Sequence, residues 1–109
     1  MQIDLLYFDG CPSWQGGLEN LKAALALEGL MAEIKLIKVD DNAEANRLCF
    51  LGSPSFQLNG AELWPEQRDM YALNCRVYST PLGLRGAPTV GMFREKIRTY
   101  STPGIHFTA

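Results

Sequence analysis

The segment "FDGCPSW" contains the residue with the clearest chemical potential, Cys11, which is followed by Pro12 and lies between an apolar run and a helical pattern. Unpaired N–H groups and the helix dipole stabilise an anion at the start of a helix. Because the thiolate is the nucleophilic form of cysteine, this position favours a reactive thiol over an inert small residue that merely fits a turn. The usual Cys-x-x-Cys pair is missing, since Trp14 occupies the position of the second cysteine.

The chain has two further cysteines, of which Cys75 is a candidate for the missing partner. Cys49 lies in "NRLCFLG", on the apolar face of a predicted short helix, and we expect it to be buried because free cysteine is among the most buried residue types. Cys75 lies in "ALNCRVY", within a segment rich in turn-forming residues. It is either a structural residue or a partner of Cys11, and a disulfide would require the two Cα atoms to lie within about 7 Å of each other.

The elements that position the cysteines follow from the spacing of apolar residues. Apolar runs predict a buried strand at 3–8 and a second strand at 33–39. Between them, apolar residues with helical spacing predict a helix that begins near Pro12 and ends near Gly29.

The next elements alternate in the same way. A short helix is predicted to begin with Asp41 as its cap, in the spacing of a capping box, and to end at Gly52. A strand at 55–58 leads into Asn59-Gly60, which is a strong hairpin signal because both central residues of a type I′ turn need positive φ. A fourth strand follows at 61–64.

The predicted order of elements is β-α-β-α-β-β-α, since a last helix at 90–100 follows a turn-rich insertion at 65–88. The first β-α-β unit should be parallel with a right-handed crossover, and the hairpin adds an antiparallel pair, so the sheet is mixed. We therefore predict one α/β (α+β) domain over residues 1–100, with a four-stranded mixed sheet flanked by helices, and a tail at 101–109. This order, with a cysteine at the first strand-to-helix turn, is that of the thioredoxin fold.

Several stretches resemble known thioredoxin-like proteins. "KVDDNAEANRLCFLGSPSFQLNGAEL" is similar to the second half of thioredoxin-like domains, where a short helix, a Ser/Thr-Pro step and an Asn-Gly hairpin follow one another. "YFDGCPSW", "FLGSPSF" and "CRVY" resemble the small bacterial thioredoxin-like proteins of the DF family, over about residues 2–98. Some members of that family carry selenocysteine at the position that matches Cys11, and some relatives are labelled alkylmercury lyase.

The resemblance implies that Pro54, in "GSPSF", matches the cis-proline that precedes strand 3 in thioredoxin-like domains; the alternative is a trans proline that opens an edge strand. In the predicted sheet, strand 3 runs antiparallel to strand 1, so its beginning lies beside Cys11. A cis bond there would leave the backbone of Ser53 free to pair with an extended, thiol-bearing substrate. Cys11, Pro54 and Ser53 are therefore predicted to share one site.

The directions of the strands also bring the insertion to this site. Strand 4 is antiparallel to strand 3 and hence parallel to strand 1, so its end emerges at the edge of the sheet that carries Cys11. The segment that follows can deliver Cys75 as a second catalytic cysteine. In the same segment, Arg76 is a candidate to stabilise the thiolate or bind an anionic substrate, the alternative being a surface residue. Trp14 is a candidate substrate contact or a core residue.

Composition narrows the classes of function. The net charge of −2, the pI near 5.3 and the scattered basic residues give no electrostatic reason to expect a nucleic-acid partner. No apolar run reaches the roughly 18 residues that span a bilayer. The start "MQIDLLYF" lacks the cationic region of a signal peptide. With an odd number of cysteines, three, we expect a reducing, cytoplasmic setting. The only histidine, His106, has no clustered ligands, so neither a zinc site nor another cofactor is expected.

Three functions remain open on the sequence. The first is a thiol oxidoreductase in which Cys11 attacks a disulfide, a sulfenate or a peroxide, and Cys75 or an external thiol such as glutathione resolves the product. The second is a protein that binds a soft metal ion or an organomercurial through the thiolates of Cys11 and Cys75. The third is a noncatalytic module that binds a protein or peptide at the edge beside Pro54.

Overall fold

The computed structural model of the chain describes residues 1–101. In chain order the elements are β1 (Gln2–Tyr7), α1 (Trp14–Leu27), β2 (Glu33–Lys38), α2 (Asn42–Leu48), β3 (Ser55–Leu58), β4 (Ala61–Glu62), β5 (Tyr78–Thr80), β6 (Gly83–Arg85) and α3 (Val90–Ser101). Within these residues the chain is an α+β fold with three helices and a four-stranded mixed sheet. The predicted order of elements is present, with the hairpin β5–β6 added before α3.

The main sheet has the strand order β2-β1-β3-β4. β1 pairs in parallel with β2 and antiparallel with β3, so that Leu6 near the end of β1 lies opposite Ser55 at the start of β3. β4 pairs antiparallel with β3. The end of β1 and the beginning of β3 therefore meet at one edge of the sheet, as the order of elements predicts.

Helices cover both faces of the sheet because β1 is apolar on both of its faces. Alternate side chains of a strand point to opposite faces, and those of β1 accordingly divide between two cores. Ile3 and Leu5 belong to the larger core, which contains side chains of α1, β3 and α3. Leu6 belongs to a smaller core with Ala45 of α2 and Phe50.

Local signals place a helix cap and a turn where the sequence predicts them. The carboxylate of Asp41 accepts a hydrogen bond of 2.8 Å from the N–H of Glu44, so it caps α2 as expected. Asn59 and Gly60 both have positive φ, 50° and 89°, as a type I′ turn between β3 and β4 requires.

Other boundaries differ from the prediction. α1 begins at Trp14 with Ser13 as its N-cap residue, so Pro12 precedes the helix and is not part of its first turn. α2 ends at Leu48 and is capped by Cys49, which has a left-handed conformation with φ 52°, so the helix stops before Gly52. β4 ends at Glu62 and is shorter than predicted, although the N–H of Leu63 still donates to the carbonyl of Phe56 at 2.9 Å. The hairpin β5–β6, within the insertion 65–88, was not predicted.

The predicted tail, 101–109, lies outside the described residues apart from Ser101, which ends α3. His106 likewise lies outside them. Among residues 1–101, no helix combines the length and the apolar character needed to cross a membrane.

Candidate functional site

Cys11 lies in the turn between β1 and α1, and its backbone N–H donates a hydrogen bond of 3.1 Å to the carbonyl of Phe8. This turn directs the thiol inward, so that Cys11 is only 3 % exposed. Its Sγ donates to the carbonyl oxygen of Ser53 at 3.3 Å. The two segments that the sequence analysis assigned to one site are therefore in direct contact.

The backbone of Ser53 is not free, in contrast to the prediction. Its N–H donates to the carbonyl of Asn74 at 2.8 Å, and its carbonyl accepts from the N–H of Arg76 at 2.9 Å. These two hydrogen bonds form a parallel β-bridge that places Cys75 opposite Ser53. The chain's own insertion thus occupies the edge that was predicted to receive an extended substrate.

The bridge brings Cys75 to Cys11. The protein atoms around the Cys75 thiol raise its pKa by desolvation, although the residue as a whole is exposed, and hydrogen bonding to Cys11 and repulsion by its charge raise it further. Cys75 is therefore held mainly as the thiol at neutral pH. Cys11 and Cys75 are both free cysteines, of which Cys11 is buried and Cys75 is exposed.

Pro54, the residue after Ser53, also contacts the insertion. The Ser53–Pro54 peptide bond is cis, as predicted. The carbonyl of Pro54 accepts a hydrogen bond of 2.5 Å from the hydroxyl of Tyr78, the first residue of β5. The insertion is therefore joined to the proline step both by the β-bridge and by this hydroxyl.

Arg76, a predicted substrate contact, instead lies in a buried charged cluster. It is 3 % exposed and forms ion pairs with Glu62 at 3.4 Å and Glu66 at 3.1 Å. It also donates to the carbonyl of Trp64, and its guanidinium lies 4.7 Å from the ring centre of Tyr78. With these partners around it, the guanidinium ties the insertion to the end of β4 and is not available to a ligand at the thiols.

The structure agrees with one of the alternatives for Trp14 and differs from the expectation for Cys49. Trp14, a candidate substrate contact or core residue, stacks on Tyr7 with ring centres 4.2 Å apart and packs against the larger core, in agreement with the second alternative. Cys49 is exposed and not buried, because α2 ends one turn earlier than its apolar pattern suggests. In that position the Cys49 thiol lies near Tyr71. Desolvation is the main cause that raises the pKa of the Tyr71 phenol, and the charge of Cys49 and a hydrogen bond with it raise this pKa further.

Sequence reasoning missed several residues that build the site. Asn74 supplies the carbonyl that binds Ser53, and Glu62 with Glu66 holds Arg76. Gly52 approaches the insertion so closely that a Cβ atom there would lie 3.0 Å from the Cβ of Arg76. The segment "FLGSPSF" contains a signal for Gly52, since a glycine precedes the proline step by two residues. The need for glycine at this position comes from its contact with a distant segment, residues 74–76.

The carboxyl group of Glu62 is expected to make the stability of the protein depend on pH. Burial raises its pKa to about 7, although the charge of Arg76 opposes this shift. In the unfolded chain the pKa is near 4.5. The proton that the folded chain holds contributes stability that is fully present below pH 4.5 and is lost as the pH rises through about 7.

Glu62→Gln should remove this contribution while keeping the size of the side chain. From pH 4.5 to 8, the free energy of unfolding of the wild type should fall by about 1–3 kcal/mol relative to that of the variant. Urea unfolding at several pH values measures this difference. Glu66→Gln is the control, because the hydrogen bond from Arg68 lowers the pKa of Glu66 and places its titration below this window. Parallel profiles for the wild type and Glu62→Gln would contradict the assignment.

Comparison with known proteins returned no matching family model, curated protein or solved structure. Over the described residues, no group of three or more His, Cys, Asp or Glu side chains is arranged to hold a metal ion.

Proposed function

We propose that the protein is a thiol-dependent redox protein of the thioredoxin-like type, in which Cys11 and Cys75 act as a pair. The observation that carries the proposal is the β-bridge between Ser53 and Cys75, since it holds the second thiol beside the first. The element order, the sheet order β2-β1-β3-β4 and the cis Ser53–Pro54 bond support the thioredoxin-like assignment.

Cys11 is the nucleophile in this proposal and Cys75 the resolving thiol. The raised pKa of Cys75 keeps it protonated and makes it the weaker initial nucleophile. With a hydroperoxide, the Cys11 thiolate attacks one oxygen, the O–O bond breaks, an alcohol leaves and a sulfenic acid forms. The Cys75 sulfur then attacks the Cys11 sulfur, water leaves and a disulfide forms.

A small disulfide is an equivalent oxidant. The Cys11 thiolate attacks one of its sulfurs, the S–S bond breaks and a thiolate leaves. Cys75 then displaces the second thiolate and closes the Cys11–Cys75 disulfide. Two equivalents of a low-molecular-weight thiol such as glutathione return the pair to its reduced form, and the first of them attacks at Cys75, the exposed partner. The odd number of cysteines supports a reducing, cytoplasmic setting for this cycle.

The same pair of thiols supports a second candidate function. Two neighbouring thiols, which lose their protons on metal binding, suit a soft ion of low coordination number, such as Cu(I) or Hg(II). A noncatalytic peptide-binding module is less well supported, because the chain itself occupies the backbone of Ser53.

One experiment tests the redox proposal against the soft-metal candidate. Mild treatment with hydrogen peroxide should give a Cys11–Cys75 disulfide, identified by mass spectrometry of non-reduced peptides, and Cys49→Ser should leave its yield unchanged. In Cys75→Ser, Cys11 should accumulate as a sulfenic acid, and turnover with a small thiol should fall by about tenfold or more. A pair that stays reduced but binds Cu(I), with binding lost in Cys75→Ala, would contradict the redox proposal and favour the second candidate.

A further inference from the structure

Residues 74–76 form hydrogen bonds with the backbone of Ser53. The interactions that keep them there determine which substrates can bind at Ser53. We call residues 74–76 the clamp segment. Both backbone groups of Ser53 are bound, the N–H by Asn74 and the carbonyl by Arg76. An extended peptide that adds itself to a strand edge relies on these same main-chain groups. While the clamp segment is in place, such a peptide has no partner at Ser53.

The clamp segment is held by a buried charged side chain as well as by its backbone. Arg76 has Glu62 and Glu66 as ion-pair partners and the carbonyl of Trp64 as an acceptor, all on β4 or in the loop that follows it. A buried ion pair is costly to break when one partner is removed, because the other charge is left without compensation. The guanidinium therefore acts as an anchor that keeps the clamp segment on Ser53.

We infer that this protein is selective for small oxidants, and that Arg76 enforces the selectivity by holding the clamp segment over the backbone of Ser53. Small disulfides and hydroperoxides need no main-chain pairing at Ser53 to react with Cys11, whereas extended peptide disulfides, which need it, are excluded until the clamp segment is released. The selectivity for small oxidants rests on the proposed function, whereas the hold of Arg76 on the clamp segment does not. Arg76 is in this sense a positioning residue, since it contacts neither thiol.

Loosening the anchor tests the inference. Arg76→Gln combined with Glu62→Gln removes the guanidinium without leaving Glu62 as a buried charge. Arg68→Gln is the matched control, because Arg68 also pairs with Glu66 and carries the same charge but contacts no residue of the clamp segment through that pair. All variants carry Cys49→Ser and Cys75→Ser, so that Cys11 is the only thiol and the backbone of the clamp segment is kept.

Hydrogen exchange measures the clamp directly, whatever the reactivity of Cys11. The parent protein carries only Cys49→Ser and Cys75→Ser, and in it the amides of Ser53 and Arg76 should be protected from exchange. In the double variant they should exchange about tenfold faster or more, while amides of β1 keep their protection and show that the fold is retained. Arg68→Gln should leave all of these rates unchanged. Rapid exchange at Ser53 and Arg76 in the parent protein, or no acceleration in the double variant, would overturn the inference.

Thiol–disulfide exchange measures the selectivity. The probes are hydroxyethyl disulfide and a five-residue peptide, Gly-Ala-Cys-Ala-Gly, whose cysteine is linked to mercaptoethanol. In each reaction Cys11 forms one S–S bond, one S–S bond breaks and the released thiolate takes up a proton. In the parent protein the peptide should react about tenfold more slowly than the small disulfide, and in the double variant this difference should shrink to about threefold or less.

The two measurements separate the possible failures. If the peptide reacts as fast as hydroxyethyl disulfide in the parent protein, the selectivity is refuted even when the amides are protected. If Cys11 reacts with neither probe nor with hydrogen peroxide, the proposed redox function fails, and amide exchange still decides whether Arg76 holds the clamp segment.

Discussion

Gly52→Ala is expected to lower the free energy of unfolding by about 2–4 kcal/mol and to slow the formation of the Cys11–Cys75 disulfide by about tenfold or more. Gly52 has φ 116°, a conformation that residues with a Cβ atom rarely adopt. A Cβ atom there would also lie 3.0 Å from the Asn74 Oδ1 and 3.1 Å from the backbone nitrogen of Arg76. The new methyl group therefore pushes the clamp segment away from Ser53.

Gly60→Ala separates the two causes. Gly60 also has positive φ, 89°, but a Cβ atom there would meet nothing within 4 Å. This control should lose about 1–2 kcal/mol from backbone strain and form the disulfide at the wild-type rate. Urea unfolding gives the stability, and non-reducing electrophoresis or mass spectrometry after peroxide gives the rate. Equal disulfide rates in Gly52→Ala and Gly60→Ala would show that the close approach of Gly52 does not position Cys75.

Gly17→Leu is expected to destabilise the protein by about 2–3 kcal/mol, although leucine favours a helix more than glycine does. Gly17 is buried in α1 where the helix meets the proline step. A Cβ atom there would lie 3.1 Å from Phe56, 3.3 Å from Pro54 and 3.4 Å from Ala87, so the rest of a leucine side chain has no space. The helix would have to move away from the strand that begins after Pro54.

The adjacent glycine provides the matched control. A Cβ atom at Gly16 would meet nothing within 4 Å, and the residue is exposed. Gly16→Leu should therefore stabilise the protein by about 0.5–1 kcal/mol through helix propensity alone. Thermal unfolding of the two variants side by side gives the comparison. If Gly17→Leu proved as stable as Gly16→Leu, the packing of α1 on Pro54 would not be as tight as the structure indicates.

Elements with strong periodic patterns could be predicted from the sequence because their signals are local. β3 coincides with the predicted strand at 55–58, and Asn59 with Gly60 forms the predicted turn. The hairpin β5–β6 was missed because its strands have three residues each, too few for a period to emerge. Its available signal was the turn chemistry of Pro81 and Gly83, where Gly83 has φ 101°.

The residues of the candidate site divide in the same way. Cys11 could be identified from its position between β1 and α1, and Pro54 from its step before β3. Arg76 could not be assigned, because its role depends on Glu62 and Glu66, which the folded chain brings to it across the insertion. The exposure of Cys49 was missed for a related reason, since the apolar pattern of "NRLCFLG" does not reveal where the helix ends.

The order of the elements, the proline step and the thiol at the first strand-to-helix turn follow from the residue types, because each depends on neighbours a few residues away. What lies on the backbone of Ser53 follows only from the folded chain. The N–H and the carbonyl of Ser53 are hydrogen-bonded to residues 74–76, which are about twenty positions away along the chain. A main-chain hydrogen bond between distant segments leaves no pattern in the side chains that form it, so the closed edge could not be read from residue types. The strand directions allowed a meeting of Cys11 and Cys75 as one of two alternatives, but they did not reveal the β-bridge that brings it about.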